Sequence, residues 1–221
     1  MTLHDHIQRY WKLAHTADAL FNKVKESHAA LMPCKQGCDD CCAVYFQLSL
    51  IEAFVINGYF KTRVNAEMQQ EVMKKAAEVE PMFQQALRVS SERNEEAPEL
   101  DGKSTDEALG ALRIPCVLHV DGSCLLYEHR PITCRLYGTP QKIGGQVIAC
   151  PKTGFRKNHA YLSIDVTKIN ETLRDYSREF LTDLIGMTPT TMTEMLFPLP
   201  TALRINFDKA FFTDLKEKLH E

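Results

Sequence analysis

Eight cysteines carry most of the chemistry open to this 221-residue chain, and four of them fall within nine residues, in Cys34-Lys-Gln-Gly-Cys38-Asp-Asp-Cys41-Cys42. Thiolates at these spacings converge on one centre only when the loop between them curls, and Gly37 supplies the permissive backbone for it. Cys41 and Cys42 are neighbours, so their side chains are expected to diverge, one of them facing other ligands or a second metal. The remaining four, Cys116, Cys124, Cys134 and Cys150, stand beside the turn residues Pro115, Gly122-Ser123, Pro131 and Pro151, and read as ligands carried on loops. Core packing explains a single buried cysteine. It does not explain four thiols interleaved with Lys35, Gln36, Asp39 and Asp40. A disulfide framework needs an oxidising compartment, and adjacent cysteines pair poorly.

Metal is therefore the expected partner, as zinc or as iron, including an iron-sulfur cluster. Eight thiolates make two four-cysteine sites, or one [4Fe-4S] cluster with cysteines left for a second site or for packing, and the spacing leaves both open. Either centre is anionic, so nearby cations stabilise it. Between Arg113 and Lys157 the chain has Arg113, Arg130, Arg135, Lys142, Lys152, Arg156 and Lys157 against only Asp121 and Glu128, an excess of five positive charges. Arg130 and Arg135 border Cys134 and are the candidate cofactor-binding residues, donating to thiolate sulfur or to an anionic substrate. The plainer alternative is solvated charge, or pairing with the acidic stretch from Glu95 to Asp106. His119 and His129 lie among the cysteines and read as surface or supporting groups, since the thiols already suffice. His4, His6 and His15 fall on a helix without converging ligands, where a solvated face accounts for them. No glycine-rich phosphate loop, Gly-x-Ser-x-Gly elbow or His-Glu-x-x-His is found, and catalytic residues stay unassigned.

These residues need a frame, and the apolar spacing supplies one. Leu3, Ile7, Tyr10, Ala14, Ala17, Phe21 and Val24 follow steps of three and four, one face of a long helix ending before Pro33. Ser49-Leu-Ile-Glu52 predicts a capping box opening a short helix that Gly58 terminates. Val64, Met68, Val72, Ala76, Val79, Phe83 and Leu87 predict a further helix, kinked or restarted at Pro81. Glu95 to Gly110 lacks any period and reads as a surface loop. From Ile114 to Phe155, short apolar pieces at Val117–Val120, Cys124–Tyr127 and Gln146–Ala149 predict short strands and turns. Helix returns along Ile169, Leu173, Tyr176, Phe180 and Leu184 up to Gly186, and along Phe207, Phe211, Leu215 and Leu219, with Thr191-Met-Thr-Glu194 placed to cap one more turn.

The expected fold class is mainly α with a small irregular α+β cysteine-rich region. Residues 1–221 read as a single domain, the segments 33–47 and 113–157 packing together on a helical frame. A formal charge of -3, from 26 Lys and Arg against 29 Asp and Glu, points to no strongly charged partner. The absence of an apolar leader or membrane-length run sets the expectation of a cytoplasmic protein without a membrane partner.

Taken in order, Cys-x3-Cys-x2-Cys-Cys, Pro115-Cys116, Cys124-Leu-Leu-Tyr127-Glu128-His129-Arg130-Pro131, Cys134-Arg135 and Cys150-Pro151 resemble the YkgJ-type cysteine-cluster family of zinc- or iron-chelating domains. The resemblance runs roughly from Pro33 to Pro151 and leaves the terminal helices aside. It implies metal chelation far more firmly than any reaction. A longer relative in the same broad group, flagellin lysine N-methylase, has a similar cysteine motif. It suggests an alternative, an iron-sulfur redox enzyme in which Cys34, Cys38 and Cys41 hold the cluster. That spacing is also the radical S-adenosylmethionine motif, but Asp40 stands where that family usually has an aromatic residue, and the sequence that follows is mainly helical. A third reading is a metal-stapled module that docks a protein or nucleic acid through the basic segment. Nucleic acid is the weaker partner there, because only Tyr127, Tyr137 and Phe155 offer stacking surfaces.

Overall fold

The computed structural model describes residues 1–34, 38–91, 112–143, 145–156, 159–187 and 195–219. The chain is mainly helical with a few short strands, and no described helix is long and apolar enough to cross a membrane. The expected loop at Glu95 to Gly110, the capped turn at Thr191 to Glu194 and the Leu87 side chain lie outside the described residues.

Helix α1 spans Leu3–Ser27 and opens on a capping box between Thr2 and Asp5. Its buried stripe is His6, Tyr10, Ala14, Ala17 and Val24, so the face is rotated slightly from the expected one, and Leu3 is 46% exposed. His6 is thus buried rather than solvated. It is tolerated there because its Nε2 lies 2.8 Å from Asp183 Oδ2, satisfying a polar group that would otherwise be lost to the core.

Strand β1 (Gln47–Ser49) leads into α2 (Leu50–Arg63), with Ser49 Oγ accepting from the Glu52 N–H at 3.4 Å. Gly58 does not end α2, which runs five residues further. The reason is burial on two sides: Ala53, Ile56 and Phe60 face one hydrophobic cluster, while Leu50, Ile51 and Val55 face another. Helix α3 (Ala66–Ser91) continues unbroken through Pro81. Pro81 and Ala77 are both exposed, so water can reach the carbonyl that Pro81 leaves without its N–H partner.

The middle of the chain is built from small pieces. Strands β2 (His119–Val120) and β3 (Ser123–Cys124) form a hairpin turned by Asp121 (φ 48°) and Gly122 (φ 75°), a pair suited to two successive left-handed residues. A single helical turn at Tyr127–His129 precedes α4 (Ile132–Leu136). Strands β4 (Gln141–Ile143) and β5 (Gln146–Ile148) pair antiparallel, and β4 pairs parallel with β6 (Ile164–Asp165).

Helix α5 (Val166–Ile185) ends, as expected, at Gly186 in the left-handed conformation (φ 72°). Strand β7 (Leu196–Pro198) pairs antiparallel with β1, Leu48 facing Phe197. Helices α6 (Leu199–Arg204) and α7 (Lys209–Lys218) complete the described chain. Asn57 of α2 donates from its Nδ2 to the carbonyls of Ala202, Leu203 and Ile205 at 2.9, 3.1 and 3.0 Å, capping the end of α6 from inside the core.

Candidate metal centre

Main-chain hydrogen bonds bring the two cysteine regions together. A helical turn at Asp40–Ala43 carries Cys41 and Cys42. Alongside it, Ile114 N–H donates to Ala43 O at 3.1 Å, Cys116 N–H to Cys42 O at 2.6 Å, and Val44 bridges Arg113 antiparallel. Cys116 is thereby fixed next to the first cluster. His119 N–H returns to Cys116 O at 3.1 Å, and the β2–β3 hairpin places Cys124 opposite His119. Cys134 is carried by α4, whose first amide, Ile132 N–H, donates to the buried Glu52 carboxylate at 2.9 Å. Cys150 follows β5 in a turn closed by Thr153 N–H at 3.0 Å and Thr153 Oγ1 at 2.6 Å. Next to it, Gly154 N–H donates to Leu31 O at 2.8 Å, tying this segment to the approach to Cys34.

Cys34 packs against Gly138, just beyond the end of α4. An added Cβ at Gly138, where φ is +94°, would stand 2.5 Å from the Cys34 sulfur, so glycine is required for the approach as well as for the backbone. All eight cysteines are free thiols; Cys38 is exposed and the others partly buried.

The thiols feel one another. Burial pushes the Cys34 thiol above its ordinary acidity, and the charges of Cys38, Cys150 and Cys41 push it further. Cys41 is raised beyond the usual thiol range by its interaction with Cys42 and by burial. Burial carries Cys116 up to about 11, with Cys124 adding to it. Cys124 is raised by burial and by Cys41. Cys134 lies well above the ordinary value through burial, then through Cys116, Cys41 and Cys124. In electrostatic terms Cys34 responds to Cys38, Cys150 and Cys41, while Cys134 responds to Cys116, Cys41 and Cys124, so Cys41 is felt on both sides.

Among the described residues no three His, Cys, Asp or Glu side chains close around a point that could hold a metal ion. The donor set nevertheless suits one chemically. Soft thiols are collected from three chain segments, and their mutual opposition to ionisation is the kind that a bound cation reverses.

Asp40 is the residue that the spacing argument misses, though the excess of basic residues in the second region is its complement. Its side chain is 7% exposed. Arg113 Nη2 donates to Oδ1 at 3.0 Å and Lys152 Nζ approaches Oδ1 at 3.1 Å, while Tyr137 Oη and the Cys150 thiol donate to Oδ2 at 3.3 and 3.5 Å. Burial opposes its ionisation, but the bonds from Lys152, Cys150 and Arg113 prevail and hold the carboxyl below the usual range.

The two candidate arginines turn elsewhere. Arg135, 4% exposed, pairs with Asp18 of α1 and donates to the carbonyls of Arg130 and Glu128 at 2.9 and 2.6 Å. Arg130 donates to Tyr127 O at 2.9 Å, approaches Asp18 at 3.5 Å and lies over the Tyr127 ring; its charge eases ionisation of Cys124. Together they fold the Tyr127–Arg135 stretch onto α1. His129 stacks on Tyr59 with ring centroids 3.8 Å apart, and burial with the charges of Arg63 and Arg135 lowers its basicity. His119 presents its carbonyl to Lys75 at 2.6 Å. Lys142 and Arg156 are exposed, and Lys157 is outside the described residues.

No protein family, curated protein or solved structure matches the chain.

Proposed function

We propose that this chain is a metal-binding cysteine-cluster protein that takes zinc or iron, the latter also as an iron-sulfur cluster. One observation supports the reading above all others: the fold spends backbone hydrogen bonds and a buried ion-pair centre on bringing Cys116, Cys134 and Cys150 to the Cys34–Cys42 segment, and leaves every thiol free. Cys34, Cys38, Cys41, Cys42, Cys116, Cys124, Cys134 and Cys150 would hold the metal, which would supply structural cross-linking of segments that own little apolar surface.

Elemental analysis and a visible absorption spectrum of protein purified without oxygen test it. Colourless protein with stoichiometric zinc, or brown protein with iron and acid-labile sulfide, is the expected result. Cys38→Ser and Cys41→Ser should each lose metal and stability together, because binding energy here is folding energy. Metal-free protein that refuses both zinc and iron, or full occupancy in both variants, overturns the reading.

A further inference from the structure

Asp40 touches three chain segments, and each bears a different cysteine of the second region. Arg113 precedes Cys116 by three residues, Tyr137 follows Cys134 by three, and Lys152 follows Cys150 by two. All three send a donor to the one carboxylate, at 3.0, 3.3 and 3.1 Å, and the Cys150 thiol adds a fourth at 3.5 Å. Arg113 Nη2 also reaches the Asp40 carbonyl at 3.3 Å, so the contact fixes the Asp40 main chain as well. Both carboxylate oxygens are occupied by these donors. Asp40 itself lies between Cys38 and Cys41, and so couples the first cluster to every cysteine of the second region except Cys124.

We propose that Asp40 is a positioning residue for metal loading: its carboxylate sets Cys116, Cys134 and Cys150 in register with the Cys34–Cys42 segment. This rests on the metal-binding reading above. The geometry favours a carboxylate over a neutral isostere, because two of its donors are cations. An asparagine would meet Arg113 and Lys152 with a neutral oxygen and would turn an amide N–H toward one donor. Arg113 and Lys152 are 48% and 56% exposed, so neither needs Asp40 for its own solvation; the dependence runs from the cysteine segments to Asp40.

The test uses the full chain as wild type, Asp40→Asn, Tyr137→Phe and Lys152→Ala, each loaded with cobalt(II) in competition with a chelator. Cobalt reports thiolate number through its sulfur-to-metal charge-transfer band. Asp40→Asn should weaken cobalt binding by about tenfold or more, and lower band intensity per cobalt. Tyr137→Phe, which removes one donor and keeps the charge, should weaken it by about fivefold. Lys152→Ala, removing an exposed cation, should stay within about fivefold of wild type. In parallel, hydrogen exchange on the metal-free proteins should quicken in peptides covering 113–118, 133–139 and 150–156 of Asp40→Asn, while α1 and α5 keep wild-type rates. Wild-type cobalt affinity and band intensity in both Asp40→Asn and Tyr137→Phe overturn the proposal, as does wild-type exchange in those three peptides. If the wild type itself takes no cobalt, the metal-binding reading falls, and the exchange comparison alone decides whether Asp40 sets the segments.

Discussion

Replacing Gly138 by alanine tests the packing of the cysteine region without touching a thiol. Two costs arise from separate features. With φ at +94°, Gly138 occupies a backbone region where an L side chain costs about 1–2 kcal/mol. The new Cβ would also stand 2.5 Å from the Cys34 sulfur, and relieving such a contact in a packed site costs about 1–3 kcal/mol. The sum spans about 2–5 kcal/mol and centres near 3.5, roughly 7–14 °C in melting temperature for a chain of this size. Urea denaturation of the reduced, metal-free protein, followed by the fluorescence of Trp11, measures it; Trp11 is the sole tryptophan and lies among the Tyr10, Tyr59 and His129 rings. Adding Cys34→Ala should recover the steric share and leave the backbone share, so the double variant falls between the single variant and wild type. An unchanged midpoint in Gly138→Ala, or no coupling between the two positions, refutes the placement of Cys34 against Gly138.

Three further perturbations probe the frame. Arg135→Ala removes the pair with Asp18 and two carbonyl contacts at a site 4% exposed. It should cost about 2–3 kcal/mol in urea unfolding, because Asp18 is partly solvated and is not stranded fully; a loss under about 0.5 kcal/mol contradicts it. Asn57→Ala leaves the buried carbonyls of Ala202 and Leu203 without this donor, while Ile205 O keeps Lys61 Nζ at 2.8 Å, and should cost about 2 kcal/mol, with faster exchange confined to α6 if the cap is local. Glu52 is buried, which raises its carboxyl above the ordinary value even though Ile132 N–H, Ser49 and Tyr10 favour the ionised form. A raised acid contributes stability fully present below the unfolded value and lost as pH rises through the folded one. The stability of wild type relative to Glu52→Gln should therefore decline from acid toward neutral pH, and a difference that grows over that range refutes the assignment.

Much of the helical frame was legible because periodic apolar spacing survives in α1, α3 and α5, and because Ser49 and Gly186 act locally as caps. What escaped notice depends on contacts between distant segments. Gly58 reads as a stop only if α2 has one buried face; with two, Tyr59 and Phe60 carry it onward. His6 reads as solvated unless Asp183, far along the chain, is known to face it. The cysteines were legible as a set, since their number and loop placement are local facts. Their neighbourhoods were not, and neither was Asp40, because an aspartate in a polar motif looks solvated until Arg113, Tyr137 and Lys152 are seen to surround it. Arg130 and Arg135 stand near Cys134 in sequence, but Arg130 precedes α4 and Arg135 lies on it, and Asp18 on α1, far along the chain, draws both guanidinium groups away.

The pairing of β1 with β7 also sets a timetable. Leu48, six residues beyond Cys42, finds its strand partner at Phe197, about 150 residues later. At a translation rate of roughly 5–20 residues per second, about 8 to 33 seconds separate the synthesis of the first cysteines from that of the strand that pairs with β1 just beyond them. For the first part of this interval the Cys42 carbonyl also lacks the Cys116 amide that holds it in the finished fold. A nascent chain therefore displays its first four thiols well before the segments that partly bury Cys34, Cys41 and Cys42 have been made.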